Sequence, residues 1–141
     1  MSQSASRLFT AGAIVHLLTS AAHTLGHFAT KKLEPAEQAL LEQMQGVGGD
    51  MLGMHFTKLQ VMHCLSLYMS VLGATVGLFC LVAKGALAAN PAALRRASSL
   101  CALSALLCSA IGFWQHIAPP AVFYAITGLL FGLAASTTNQ G

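Results

Sequence analysis

Histidine is where this sequence could do chemistry. The chain has six histidines, and five of them fall toward one end of its long apolar runs. His16, His23 and His27 stand seven and four residues apart, spacings that place them along one face of a helix. His23-x-x-x-His27 is therefore a natural two-ligand chelate. His55 and His63 flank the start of the second apolar run, and His116 closes the third. Neutral imidazole suits zinc, copper, iron and nickel. Further donors stand nearby in sequence: Met51, Met54, Met62, Cys64, Glu34, Glu37 and Asp50. Thioether and thiol donors would favour copper(I), and carboxylates zinc or iron.

The elements that must position these side chains are four apolar runs: Leu8 to Ala29, about Leu59 to Ala83, about Ala97 to Ile117, and Ala121 to Ala135. A membrane span needs ~20 apolar residues at ~1.5 Å rise each. The first three runs meet that and contain no Asp, Glu, Lys or Arg; the fourth is at the short end of the range. The 141 residues are 55% hydrophobic and 8% charged, with a net charge of +3, and the mean hydropathy is +0.67. A soluble domain carries about 25% charged residues. A chain this poor in charge cannot cover a globule with polar surface, so its outside is expected to face lipid. The seven cations are scattered and form no basic stripe, which excludes a nucleic-acid partner.

Helical rise converts sequence into depth. With the outer boundary taken at Ala29 and Thr57, His23 and His63 both lie roughly 9 Å below it on antiparallel helices. They could face each other. His27, His55 and His116 would lie at or near the surface of the same end, and His16 alone roughly 20 Å deep. Ionisable side chains inside a membrane are costly and by default mark a site or pathway. The same level would also suit a bis-histidine haem b between His23 and His63. Against any site stands a plainer role for these histidines, as hydrogen-bonding links between helices through Thr24, Ser66 or Gln115. His16 is read as a satisfied packing residue.

The connections carry signals of their own. Pro119-Pro120 allows only a tight reversal between runs three and four. Lys84 to Arg96 is a short polar link in which Asn90 could cap a helix that opens with Pro91. The long stretch from Thr30 to Thr57 holds a helix start at Glu34-Pro35-Ala36-Glu37, then an apolar stripe of Leu40, Leu41, Met44 and Val47, ended by Gly46, Gly48 and Gly49. Such a helix would lie on the membrane surface or over the bundle mouth. Gly73-x-x-x-Gly77 and Gly128-x-x-x-Gly132 are small-residue pairs that let helices approach closely, within the bundle or in a homodimer. Trp114 fits the interfacial aromatic belt.

Other chemistry is scarce. Cys64, Cys80, Cys101 and Cys108 contain no C-x-x-C pair. Cys101 and Cys108 would be ~10 Å apart along one helix, too far for a disulfide, and read as small buried hydrophobes. No nucleophile elbow, phosphate loop, dinucleotide fingerprint or HExxH is present. All four acids lie in the long loop, which argues against a pump built on intramembrane carboxylates. Catalysis would require a metal or cofactor at the histidines. The start of run one resembles a signal peptide ending at Ser20-Ala21-Ala22, but the apolar stretch continues past that point, and no cleavage is expected.

The segment His23-Thr24-Leu25-Gly26-His27-Phe28 resembles a group of small bacterial four-helix membrane proteins with a Gly-His-Thr-x-Gly-His type box in their first helix. Gln43-Met44-Gln45 and Met51 to Phe56 stand where that group has a Met- and Gly-containing segment. Ala22 departs from its usual glycine, and the start of the second helix is less aromatic here. The resemblance covers the first half of the chain. It implies four spans and a bacterial source and carries no reaction with it.

The expectation is thus an all-α, four-transmembrane-helix bundle with a short amphipathic surface helix in the first loop. Arg7, Lys84, Arg95 and Arg96 fall on one side of the membrane, and Lys31, Lys32 and Lys58 on the other with the acids. That bias puts both termini in the cytoplasm of a bacterial inner membrane. The expected function is binding of a transition metal (copper, zinc or iron) or haem b through His23, His27 and His63, with His55 and His116 as outer-level candidates and Met51, Met54 and Cys64 as lesser ones. It would serve metal handling or electron transfer. The rivals are an accessory subunit of a larger membrane complex and a small transporter, which would need a homo-oligomer to enclose a pathway.

Overall fold

The computed structural model describes residues 3–29 and 32–138, the side chain of Met51 excepted. In chain order the elements are α1 (Gln3–Phe28), α2 (Pro35–Gly46), β1 (Gly48–Met51), β2 (Met54–Thr57), α3 (Lys58–Ala89), α4 (Pro91–Trp114) and α5 (Ala118–Thr137). Four of them, α1, α3, α4 and α5, are long and apolar enough to cross a membrane. Leu18, Leu72, Phe79, Val82, Leu100 and Leu129 on these helices are exposed, as suits faces turned toward hydrocarbon.

The helices outrun the apolar runs because polar residues at their ends stay helical. Lys84 to Arg96 is not a link: only Asn90 interrupts helix there. Lysine and arginine are good helix formers, and long cationic side chains can reach the interface from within a helix end. Asn90 Oδ1 accepts from Ala93 N at 3.1 Å, and Pro91 opens α4, so the expected cap is present. At the other end of α3, Thr57 and Gln60 form a capping box: Gln60 N donates to Thr57 Oγ1 at 3.2 Å and Thr57 N to Gln60 Oε1 at 2.8 Å.

The fourth span is also longer than the apolar run implied. Pro119 and Pro120 lie inside the first turn of α5, where their missing N–H groups cost nothing. The reversal is made by the residues before them. His116 sits at φ 57, Ile117 N donates to Gly112 O at 2.8 Å and His116 N to Phe113 O at 3.0 Å. These bonds and the left-handed residue make a Schellman end to α4.

α1 is the central helix, with α3 on one side and α5 on the other, and α4 lies against α5. The α1–α3 seam is antiparallel and tight. A Cβ on Gly73 would strike Ser20 Oγ, and one on Gly77 would come within 2.6 Å of Leu17 Cγ and 3.2 Å of Ala13 O. Gly128 meets α4 in the same way, 2.8 Å from Leu106 Cγ, whereas Gly132 faces open space. The glycine pairs are therefore spent mainly on contacts within the chain. The buried core gathers at the end where the chain begins, around Ala5, Phe9, Ala13, Cys80, Leu94, Ala102, Phe131 and Ala134. Phe9 and Phe131 meet edge to face at 5.3 Å. Here α3 and α4 touch, with the free thiols of Cys80 and Cys101 3.8 Å apart.

At the opposite end, α2 begins as expected, Glu34 N donating to Glu37 Oε2 at 3.1 Å in a capping box. Leu41 and Met44 are half-buried while Leu40 and Val47 are exposed. The glycines after α2 do more than end it. They open a β-hairpin, absent from the expected architecture, that pairs Gly48 with Thr57 and Asp50 with His55. Leu52 and Gly53 form its two-residue turn at φ 52 and 77, the positive-φ pair that suits the twist of a hairpin. A Cβ on Gly48 would collide with Phe56 O.

Candidate histidine site

The α1–α3 seam brings three of the six histidines together. α1 delivers His23 and His27 one turn apart, and α3 delivers His63 and Ser66 on one face of its second and third turns. Ser66 Oγ lies 3.0 Å from His23 Nε2 and 3.1 Å from His27 Nδ1. The rings of His27 and His63 meet edge to face with centroids 5.0 Å apart and planes at 75°. The expected end of the seam holds the cluster, but the level is offset by a turn: His63 meets His27 edge to face, and His23 reaches Ser66. Helical phase is the reason. Residues 63 and 66 point the same way on α3, and 23 and 27 the same way on α1, so each histidine of α1 meets the nearer of the two.

The serine ties the tautomers together. A hydroxyl has one proton to donate and two lone pairs. Ser66 can therefore donate to one imidazole while it accepts from the other. If His27 Nδ1–H donates to Ser66 and Ser66 donates to His23 Nε2, the Nε2 lone pair of His27 is left for a ligand. His27 Nε2 and both ring nitrogens of His63 have no hydrogen-bond partner among the described residues.

The cluster opens into a groove of about 390 Å³ lined by Gly26, His27, Leu33, Leu41, Met62, His63 and Ser66. Leu33 and Leu41 come from α2 and the segment before it, so α2 forms part of the groove wall. Met62 adds a thioether to the lining of the same groove. Two turns below, the Ser20–Gly73 contact closes the seam.

The other candidates lie apart from this cluster. His55 Nδ1 is 3.0 Å from Asp50 Oδ1 across the hairpin, both side chains exposed. His116 forms the α4–α5 reversal and is exposed. Cys64 and Met54 are exposed, and Glu34 and Glu37 are used in the α2 cap. The side chain of Met51, and Lys31, lie outside the described residues. His16 packs edge to face on Tyr124 at 5.6 Å, but its Nδ1 is buried without a partner among the described residues, unlike the satisfied packing residue expected. Among the described residues, no three His, Cys, Asp or Glu side chains stand around one point as metal ligands would. What converges is two imidazoles in edge-to-face contact, with a third tied to His27 through Ser66.

Comparison with protein-family models, with curated proteins and with solved structures finds no match. Ser66 is the residue the sequence undervalued. It was legible only as one of several possible hydrogen-bonding partners, because nothing in the sequence sets α3 beside α1.

Proposed function

We propose that this is an integral membrane protein that holds a transition-metal ion at the His27–His63 pair, for metal handling or electron transfer. The observation that carries this reading is two imidazoles in edge-to-face contact at 5.0 Å, with ring nitrogens that have no partner among the described residues, beside an open groove. Metal–imidazole bonds are ~2.0–2.1 Å, and modest ring rotation would let one ion bridge such a pair. His27 and His63 serve as ligands. Ser66, fixed by His23, orients His27 as an outer-shell partner does in known metal sites. Met62 supplies a thioether, which favours copper(I) over zinc. The tight seam below the cluster suits a single ion better than a haem between His23 and His63.

The test is metal analysis of the protein purified in mild detergent, with a visible spectrum of the same sample. A near-stoichiometric ion, lost in His27→Ala/His63→Ala, is the expected result. Retention of the ion in that double variant would sink the assignment, and a Soret band lost with His23 and His63 would replace it by the haem form.

The cation distribution supports a bacterial inner-membrane location with both termini cytoplasmic and the histidine groove on the outer face. A second reading, an accessory subunit of a larger complex, is favoured by one feature. α3 meets α4 around Cys80, Leu94 and Cys101 but has few contacts with it beyond, which leaves a side that a partner helix could fill. A partner that co-purifies in fixed ratio with a metal-free protein would support it.

A further inference from the structure

The α1–α3 seam has a second groove at its opposite end. It measures about 440 Å³ and is lined by Gln3, Ser6, Arg7, Thr10, Ala11, Ile14 and Lys84. Arg7 and Lys84 come from different helices and meet here because the antiparallel register that sets Ser20 against Gly73 and Leu17 against Gly77 carries on down the seam. Neither cation has an ion-pair or hydrogen-bond partner among the described residues. No acidic residue lies at this end, since all four acids fall between residues 34 and 50.

Depth identifies the level. From Ser66 to Lys84 along α3 is roughly 27 Å at helical rise, close to the ~30 Å of a hydrocarbon core. With the histidine groove near one interface, Arg7 and Lys84 lie at the other. Arg95 and Arg96 on α4 stand about as far from the α3–α4 turn as Lys84 does on α3, so the cations share that level. Along α1 the lining runs from polar (Gln3, Ser6, Arg7, Thr10) to apolar (Ala11, Ile14) toward the membrane interior. Thr10 Oγ1 is turned back on Ser6 O at 2.8 Å, while the half-buried Ser6 hydroxyl has no hydrogen-bond partner among the described residues. A cationic mouth with a hydroxyl donor and an apolar floor matches one amphiphile: a phosphate headgroup followed by an acyl chain.

We propose that this groove binds an anionic phospholipid, with its phosphate between Arg7 and Lys84. Basic pockets between membrane helices are suited to such headgroups. The site is independent of metal binding at the other end.

The test is native mass spectrometry of the full chain released from detergent with added phosphatidylglycerol or phosphatidylcholine. The wild type should retain one phosphatidylglycerol and little phosphatidylcholine. Each cation near a surface favours anionic lipid by about five-fold, so Arg7→Gln/Lys84→Gln should weaken retention by about thirty-fold. Arg7→Lys/Lys84→Arg, which preserves charge, should retain lipid, and so should Lys32→Gln/Lys58→Gln at the opposite end. The proposal is overturned by equal retention of the two lipids, by undiminished binding in Arg7→Gln/Lys84→Gln, or by equal loss in the Lys32 and Lys58 variant. Displacement of the lipid by millimolar inorganic phosphate would make this a site for a soluble anion and would overturn it too.

Discussion

Ser66 is the residue on which the histidine groove turns, because one hydroxyl serves two imidazoles. Its loss should separate orientation from ligation. Ser66→Ala removes two interhelical bonds, each worth ~0.6 kcal/mol on average inside membranes, so the fold should survive with a small drop in thermal midpoint. Outer-shell changes at metal sites typically cost about 10- to 100-fold in affinity. Ser66→Ala should therefore weaken copper(I) binding by that order in a chelator competition, and His23→Ala should do much the same. His27→Ala should abolish it. Equal, small effects in all three would mean that the cluster links helices and holds no ion. His116 makes the opposite prediction. It occupies the left-handed position of the α4 Schellman end at φ 57, a conformation that costs a non-glycine residue ~1–2 kcal/mol. His116→Gly should raise the thermal midpoint and leave metal affinity unchanged; loss of the metal would return His116 to the ligand set.

At the scale of elements, what local sequence encodes differs from what only packing creates. Helix number, the α2 start at Glu34–Glu37 and the Asn90–Pro91 cap follow from local signals: apolar length, proline at a first turn, and a side chain that caps its own helix. The hairpin after Val47 did not announce itself, because Gly48 and Gly49 read as a helix stop and the turn residue Leu52 is not one that favours positive φ. The convergence of His27 with His63 needed a neighbour relation between α1 and α3 that no local signal encodes. The glycines that create that relation were visible, but their partner helix was not. Gly77 should therefore be the sensitive point of the seam. A methyl there meets Leu17 Cγ at 2.6 Å and Ala13 O at 3.2 Å, and the backbone oxygen cannot swing aside. Overpacking of this kind costs ~1–3 kcal/mol. Gly77→Ala should lower the thermal midpoint in detergent and, by spreading the seam, weaken metal binding, while Gly132→Ala, with open space around it, should do neither. Matching midpoints for the two variants would show that the seam is looser than this packing requires.

For the whole molecule the question is which way it stands in the membrane, since both grooves take their meaning from that. One seam carries imidazoles and a thioether at one end and, at the other, Arg7 and Lys84, which have no ion-pair partner among the described residues. The acids and the hairpin lie with the imidazoles. Four cations, Arg7, Lys84, Arg95 and Arg96, stand against Lys31, Lys32 and Lys58, and cations near short connections set orientation while acids contribute little. The margin is narrow, so it should be easy to erase. Leu52 at the hairpin tip is 90% exposed, and a cysteine placed there reports on its side of the membrane. With the exposed Cys64 replaced by alanine, Leu52→Cys should react with a membrane-impermeant maleimide added to intact spheroplasts, and the Cys64→Ala parent should not. The same reporter in an Arg95→Gln/Arg96→Gln background leaves two cations at that end against the three opposite, and labelling should fall as part of the population inverts. Labelling of Leu52→Cys only after the membrane is opened would reverse the assignment. The histidine groove would then face the cytoplasm, where a copper(I) site would serve delivery or storage inside the cell instead of capture from outside, and the cationic groove would face the outer leaflet.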